Sequence, residues 1–371
     1  MLISSQMKTI AWFAPDLVSK TESGTARLAN KLIANSKFDF KHVLILTDKS
    51  QINVIQNNSI YSKLNYILLP NVRFNFLRRS RQFYKYCFKN FKSAKYDYTI
   101  FHVPRFYPFY WLFPSKKFAC IFHAGGEITA KSDKFVLSRF IYVLIAKFQW
   151  SHLDRIIAVS KSAALEISTH YKIPLSKIQT IRLGVDHIWI DDFKPNAISK
   201  KSILIVGRWV KFKNIPFVLN SIENNFDKIK GLCDFTLLCN LDNNTENELR
   251  IKYPKLNINF LKNVSDKELQ NLYFNSHVLI FPSLNEGFGF PAFEGFSEGC
   301  NLLIHEDTPA AELLFDQEGV FPTNMLDEDD FMENFLDCLN STKIDYRKRR
   351  QIISQLGLIW NNTYNDFYQL F

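Results

Sequence analysis

The sequence predicts an α/β protein of two doubly wound, Rossmann-like domains that face each other across a cleft. Three observations carry this reading. Apolar runs of strand type alternate with helical segments, which implies parallel sheets joined by crossover helices. The alternation breaks at a polar stretch, "DDFKPNAISKKS", and then restarts. The chain has 371 residues, enough for two domains of ordinary size.

In the first half, "KTIAWFAP" reads as the opening strand, "SGTARLANKLIANS" as a helix and "KHVLILTD" as a second strand. "YDYTIFHVP", "FACIFHAG" and "RIIAVS" are further strands, with "KSAALEISTHY" a helix after the last. Beyond the linker, near residues 188–200, "ILIVGR" is a new first strand. It is followed by "IPFVLNSIENNF", "DFTLLCN", "INFLKNV", "DKELQNLYFNS" and "HVLIFPS". Ligands of open parallel sheets bind beyond strand C-termini, so two such halves make an interdomain cleft.

Composition narrows the class. The six cysteines (Cys87, Cys120, Cys233, Cys239, Cys300, Cys338) contain no C-x-x-C pair. They indicate neither a zinc site nor a disulfide framework and suit reduced thiols in the cytoplasm. The longest apolar run, "FIYVLIA" at 140–146, is far short of the roughly 18 residues that a membrane span needs. The opening "MLISSQMKTIAWFAPDL" lacks the order of a signal peptide, and a start at Met7 would fall directly before the first strand.

Charge is divided unevenly. Residues 1–200 hold 30 Lys/Arg and 12 Asp/Glu, a net +18, whereas residues 201–371 hold 16 and 24, a net −8. From Arg73 to Lys95 there are eight basic residues and no acidic one, interleaved with Phe and Tyr. Three readings stand: a solvated helix face, a surface for anionic lipid, or a nucleic-acid patch, for which no recognised motif is present.

Four loops at predicted strand ends carry candidate chemistry. "PDLVSKTESGTARLAN" puts Gly24 before a helix, as a phosphate loop or an ordinary turn. "FHAGGE" puts His123 directly after a buried strand, as a ligand group or a structural histidine. "VGRWVKFKN" sets Arg208 at a strand end and Lys213 five residues later. They are surface charges or, together, a clamp for a diphosphate, Arg as a fork of donors and Lys as a point charge.

The fourth loop, "PSLNEGFGFPAFEGFSEGC", reads as strand end, tight turn and helix. Pro291 suits the first helical position, and Gly287 and Gly289 permit backbone angles that other residues resist. The freed amides around Phe288 and Gly289 then favour an anion. Glu286 sits in the turn, and Glu294, about one turn into the helix, tilts back towards the same space. Cations and amides for phosphate, with carboxylates for hydroxyls, describe a nucleotide diphosphate joined to a sugar.

At this point the sequence resembles the family 4 retaining glycosyltransferases, which have the two-domain GT-B fold. The resemblance rests on "DRIIAVSKSAALEISTHYKIPLSKIQTIRLGVD", "ILIVGRWVKFKN", "VSDKELQNLYFNSHVLIFPSLNEGFGFPAFEG" and "TPAAELLFDQEGVFPTN", and is looser in the first half. It implies an acceptor-binding domain over 1–188, a nucleotide-sugar domain over 189–355 and a terminal helix, 356–371, that crosses back to the first domain. It further implies that Arg208 and Lys213 bind the donor pyrophosphate, that Glu286 holds sugar hydroxyls beside the amides of Phe288 and Gly289, and that Glu294 binds the ribose. His123 would lie over the donor sugar, and the Gly24 loop would approach the donor.

The expected partners are a nucleotide-sugar donor, GDP- or UDP-linked, a glycan or lipid-linked acceptor and an anionic membrane surface, with no nucleic acid. No metal or cofactor is expected, because "DEDD" at 327–330 and Asp191 with Asp192 read as helix-start and linker acids. The implied work is hexose transfer in bacterial surface polysaccharide synthesis, such as lipopolysaccharide O-antigen, on the cytoplasmic face of the membrane. Departures from the family are "CNLDNN" in place of a glycine-containing loop, "EGCNLLIHED" without the usual proline, and "RLGVD" for Asn-Gly-Val-Asp. A glycoside hydrolase using the paired carboxylates and an RNA-binding protein using residues 73–95 are the alternatives.

Overall fold

The computed structural model describes residues 7–13, 24–35, 40–46, 50–56, 61–68, 85–87, 89, 95–102, 110–123, 148–150, 152–189 and 200–371. Most of the basic stretch 73–95, the loop before Gly24, the residues after His123, the run 140–146 and the linker 190–199 lie outside them. The chain forms two compact units, Met1–Ile181 with Tyr364–Phe371, and Arg182–Thr363.

The first unit holds a parallel sheet of β1 (Lys8–Phe13), β2 (Phe40–Leu46), β3 (Asn65–Leu68), β4 (Tyr96–Phe101), β5 (Ser115–Phe122), β6 (Arg155–Ala158) and β7 (Ile178–Thr180). Their order is β3-β2-β1-β4-β5-β6-β7. Helices α1 (Gly24–Ala34), α2 (Ser50–Gln56) and α3 (Lys161–Tyr171) belong to the same unit. In α3, the Ser160 side chain accepts from the Ala163 amide and so satisfies one of the helix's orphan donors. The β1 centre, Ile10, Ala11 and Trp12, is fully buried, as a parallel strand covered on both faces should be.

The chain's last residues complete this core. Phe367 stacks on Trp12 at 5.7 Å between ring centroids, and the Tyr368 hydroxyl donates to the Leu32 carbonyl at 2.6 Å. Lys8 and Tyr98 both donate to the Phe371 carbonyl, at 2.6 and 2.9 Å.

The second unit repeats the plan with β8 (Lys201–Val206), β9 (Cys233–Leu238), β10 (Asn259–Leu261), β11 (Val278–Phe281), β12 (Asn301–His305) and β13 (Val320–Thr323), in the order β10-β9-β8-β11-β12-β13. Its helices are α4 (Ile215–Asn224), α5 (Asn243–Lys252), α6 (Asp266–Asn275), α7 (Phe290–Ser297), α8 (Pro309–Leu314), α9 (Glu328–Asn340), α10 (Tyr346–Gln355) and the start of α11 (Trp360–Tyr368). Alternate residues of β8 and β11 serve opposite faces. Ile203, Ile205, Val278 and Ile280 join one buried cluster with Val218, Leu219, Phe331 and Phe335. On the other face α7 lies so close to β11 that a Cβ on Gly295 would meet Leu279 Cδ2 at 2.4 Å.

The acids of "DEDD" start α9. Asp327 Oδ1 accepts from the amides of Asp329 and Asp330, at 3.0 and 3.2 Å. No helix among the described residues is long and apolar enough to cross a membrane.

Candidate functional site

Sheet order reverses in the second unit between β8 and β11. They pair in parallel, Val278 with Ile203 and Ile280 with Ile205, so their carboxyl ends lie side by side. The next strands, β9 and β12, lie on opposite flanks. Such a switch point opens a crevice beyond the two strand ends, the usual ligand position of open α/β sheets. Two loops border it, 207–214 after β8 and 282–289 after β11.

The loops are fastened together. The Leu284 amide donates to the Phe212 carbonyl at 2.9 Å, and the Ser283 hydroxyl donates to the same oxygen at 3.4 Å. Lys213 and Glu286 form an ion pair, each side chain 13% exposed. The Lys213 ammonium also lies 5.3 and 5.5 Å from the ring centroids of Phe281 and Phe212, within reach of their negative faces. Asn214 then turns the chain into α4 with a left-handed φ of 53°, its side chain donating to the Met325 carbonyl at 2.7 Å. Arg208 is exposed at the end of the same strand, with no side-chain partner among the described residues.

The turn after β11 needs its glycine. Gly289 has φ 90°, a left-handed angle, and a Cβ there would stand 3.3 Å from Phe281 Cε1. The Phe288 ring is buried, stacked on Phe293 at 4.6 Å. The amides of Gly287, Phe288, Gly289 and Phe290 have no hydrogen-bond partner among the described residues. These donors precede α7, whose dipole adds partial positive charge at the same end.

Glu294 lies one turn further along α7 and is 2% exposed. Tyr273 donates its hydroxyl to Oε2 at 3.1 Å, and His187 Nε2 approaches Oε1 at 3.1 Å. The structure thus joins Lys213 to Glu286 directly, holds Phe288 and Gly289 in the turn between the two carboxylates, and sets Glu294 under Tyr273 and His187.

Gly24 and His123 belong to the first unit, whose own order reverses between β1 and β4. Gly24 is the exposed first residue of α1, the helix after β1. His123 follows β5 directly, and its Nε2 is 2.9 Å from the carbonyl of His102, the residue after β4. A carbonyl only accepts, so this nitrogen carries the hydrogen. The two rings are 4.7 Å apart, and burial lowers the His123 pKa to about 4, leaving a neutral imidazole at pH 7.

Sequence reasoning did not identify His102, His187, Tyr273 or Trp360. The available signal was position: His102 directly follows a strand at the switch point, and His187 directly follows "RLGVD".

Burial also lowers His42 to about 4 and His102 well below its usual value. Folded values below unfolded ones confer stability that is complete above about pH 6.5 and is lost as pH falls towards 4. Each such histidine contributes up to about 1.4 kcal/mol per pH unit across that window. The melting temperature should therefore fall steadily between pH 6.5 and 5, before most carboxylates titrate. Glu298, whose carboxyl burial pushes up to about 7, gives the opposite slope and offsets one such histidine; a flat profile would still show that these rings take up protons in the folded state.

No group of three or more His, Cys, Asp or Glu side chains among the described residues is placed to hold a metal ion. Residues 188–355 match the family model described as Glycosyl transferases group 1, and residues 56–188 match that of Glycosyltransferase Family 4. The chain belongs to this glycosyltransferase family. Its fold is GT-B, as in a glycosyltransferase from Rickettsia africae that superposes with a TM-score of 0.71 at 17% identity, covering 98% of this chain and 97% of that one.

The family 4 chain is 26% identical over 179 residues to the O-antigen chain mannosyltransferase RfbU of Salmonella typhimurium, covering 47% of this chain and 48% of RfbU. It is 28% identical over 184 residues to the serotype-specific mannosyltransferase WbdA of Escherichia coli, covering 42% of this chain and 22% of WbdA. The chain thus spans about half or less of the length of these curated relatives.

Proposed function

We propose that the protein transfers a hexose, with retention of configuration, from a nucleotide-diphosphate sugar to a glycan or lipid-linked acceptor in bacterial surface polysaccharide synthesis. The observation that carries this reading is the crevice beyond β8 and β11. There a lysine–glutamate pair faces a glycine turn whose amides have no partner among the described residues. Those are the groups a sugar diphosphate needs: donors for phosphate and an acceptor for hydroxyls.

Glycosyl transfer breaks the bond between the anomeric carbon and a phosphate oxygen and forms one to the acceptor oxygen. The diphosphate leaves with the bonding pair, and the acceptor hydroxyl gives up its proton. Negative charge grows on the leaving group, where Arg208, Lys213 and the amides of Phe288 and Gly289 stabilise it electrostatically. The incoming diphosphate competes with Glu286 for Lys213 and frees that carboxylate to accept from sugar hydroxyls. Glu294 takes the ribose. His123, with Nε2–H committed to His102, offers the lone pair of Nδ1 to a hydroxyl of the transferred sugar.

The names of RfbU and WbdA make mannose the first sugar to test. Basic residues 73–95 would keep the enzyme at the anionic inner face of the cytoplasmic membrane, where lipid-linked acceptors are met. The test is transfer of labelled sugar from GDP-mannose, and from UDP-, ADP- and dTDP-sugars, to bacterial lipid extracts. The expected result is one preferred donor and a labelled glycolipid that keeps the donor's anomeric configuration. Absence of transfer and of donor hydrolysis from every nucleotide sugar would overturn the proposal.

A further inference from the structure

The carboxylate of Glu294 is held by a chain of hydrogen bonds that begins far from it in sequence. Trp360 Nε1 is 3.2 Å from His187 Nδ1, and His187 Nε2 is 3.1 Å from Glu294 Oε1. An indole N–H can only donate. Nδ1 of His187 therefore carries the lone pair, and the ring hydrogen sits on Nε2, aimed at the carboxylate. A proton on Nδ1 would set two N–H groups against each other, so Trp360 selects the tautomer that donates to Glu294.

Packing keeps the imidazole in place. The His187 side chain is 1% exposed and that of Glu294 3%. The ring meets Phe290 and Trp360 edge-on, at 6.1 and 6.0 Å, while Phe290 and Trp360 stack on each other at 6.4 Å. The backbones bearing His187 and Trp360 are also joined. The Gly184 amide donates to Thr363 Oγ1 at 2.8 Å, the Val185 amide to the Leu358 carbonyl at 3.0 Å, and the Trp360 amide to Asp186 Oδ1 at 2.7 Å.

We propose that His187 is a positioning residue of the donor site: set by Trp360, it orients the Glu294 carboxylate towards the ribose hydroxyls. This rests on the reading of Glu294 as the ribose ligand. The segments 182–189 and 357–363 thereby set the ribose specificity of a site built from other elements.

The experiment compares ribose with 2′-deoxyribose ligands. Kd values for UDP, dUDP, GDP and dGDP are measured by calorimetry for wild type, Glu294→Ala, His187→Ala, His187→Gln and Trp360→Phe, each with its melting curve. Wild type should prefer the ribonucleotide about tenfold. Glu294→Ala should abolish that preference, and His187→Ala should reduce it to within twofold. His187→Gln, whose terminal amide reaches the Nε2 position and donates, should restore most of it, and Trp360→Phe should fall between.

A merely structural role would weaken ribo- and deoxyribonucleotides alike and leave the ratio unchanged. If Glu294→Ala abolishes the preference while His187→Ala and Trp360→Phe keep it, the positioning role is refuted and the ribose assignment stands. If Glu294→Ala keeps the preference, the ribose assignment fails and the positioning role fails with it. Should His187→Ala not fold, His187→Gln and Trp360→Phe decide the matter by the same ratio.

Discussion

Lys213→Ala is expected to weaken binding of the donor nucleotide by roughly 10- to 150-fold. That is the range for losing a charge-assisted hydrogen bond worth about 1.5–3 kcal/mol. The variant also strands Glu286, whose largely buried carboxylate has Lys213 as its ion-pair partner. Glu286→Gln should behave differently. It removes the internal competitor for the ammonium, so affinity for free UDP or GDP should hold or rise, while sugar transfer falls at least about tenfold because an amide oxygen and an NH2 donor replace the charged acceptor of sugar hydroxyls. Calorimetry with the free nucleotides and turnover with the sugar nucleotide separate the two effects. Equal weakening of free nucleotide by both substitutions would show that Lys213 and Glu286 act only as a structural pair.

Gly184→Ala is expected to be the most damaging single methyl in the second unit. The new Cβ would lie 2.2 Å from the Trp360 nitrogen and 2.5 Å from the Ile359 carbonyl carbon, both backbone atoms that cannot rotate away. Overpacking costs typically 1–3 kcal/mol where side chains can yield, so a clash with backbone should reach about 3 kcal/mol or more. For a unit of this size that is a loss of roughly 6–12 °C in melting temperature, at about 2–4 °C per kcal/mol. Gly231→Ala is the control. Its φ is +78°, but nothing lies within 4 Å of the added Cβ, so only backbone strain of about 1 kcal/mol remains. Similar melting temperatures for the two variants would mean that residues 359–360 do not press on Gly184.

The alternation of strands and helices was legible because β1, β2, β4, β8 and β11 are apolar runs next to helical segments with clear starts. Ser265 before α6 and Glu268 in its first turn, for example, form a capping box. Four strands were not. β3 and β7 have four and three residues and lie at sheet edges, too short for periodicity to register. β12 is buried throughout but reads as "NLLIH" between charged residues, with no alternation to mark it. β13 contains Pro322, which argues against a strand in sequence and is tolerated here because β13 is an edge.

The crevice was legible because Arg208, Lys213, Glu286 and the glycine turn all lie in the two loops that follow β8 and β11. Glu294 shows the limit of that method. Helical tilt aims it towards the turn, but Tyr273 and His187, which fix its carboxylate, come from 21 and 107 residues away. No local pattern announces such partners. The role of "RLGVD" was hidden for the same reason, since Gly184 matters only through its approach to Trp360.

The most direct measurement is a crystal structure of the protein with the nucleoside diphosphate of its preferred donor. The β-phosphate should lie within about 3 Å of Lys213 Nζ and of an amide in the 287–290 turn, a normal hydrogen-bond length. The ribose hydroxyls should reach Glu294, and Glu286 should have left Lys213. A nucleotide bound elsewhere, with the Lys213–Glu286 pair intact and the turn amides facing water, would contradict the placement of the donor beyond β8 and β11.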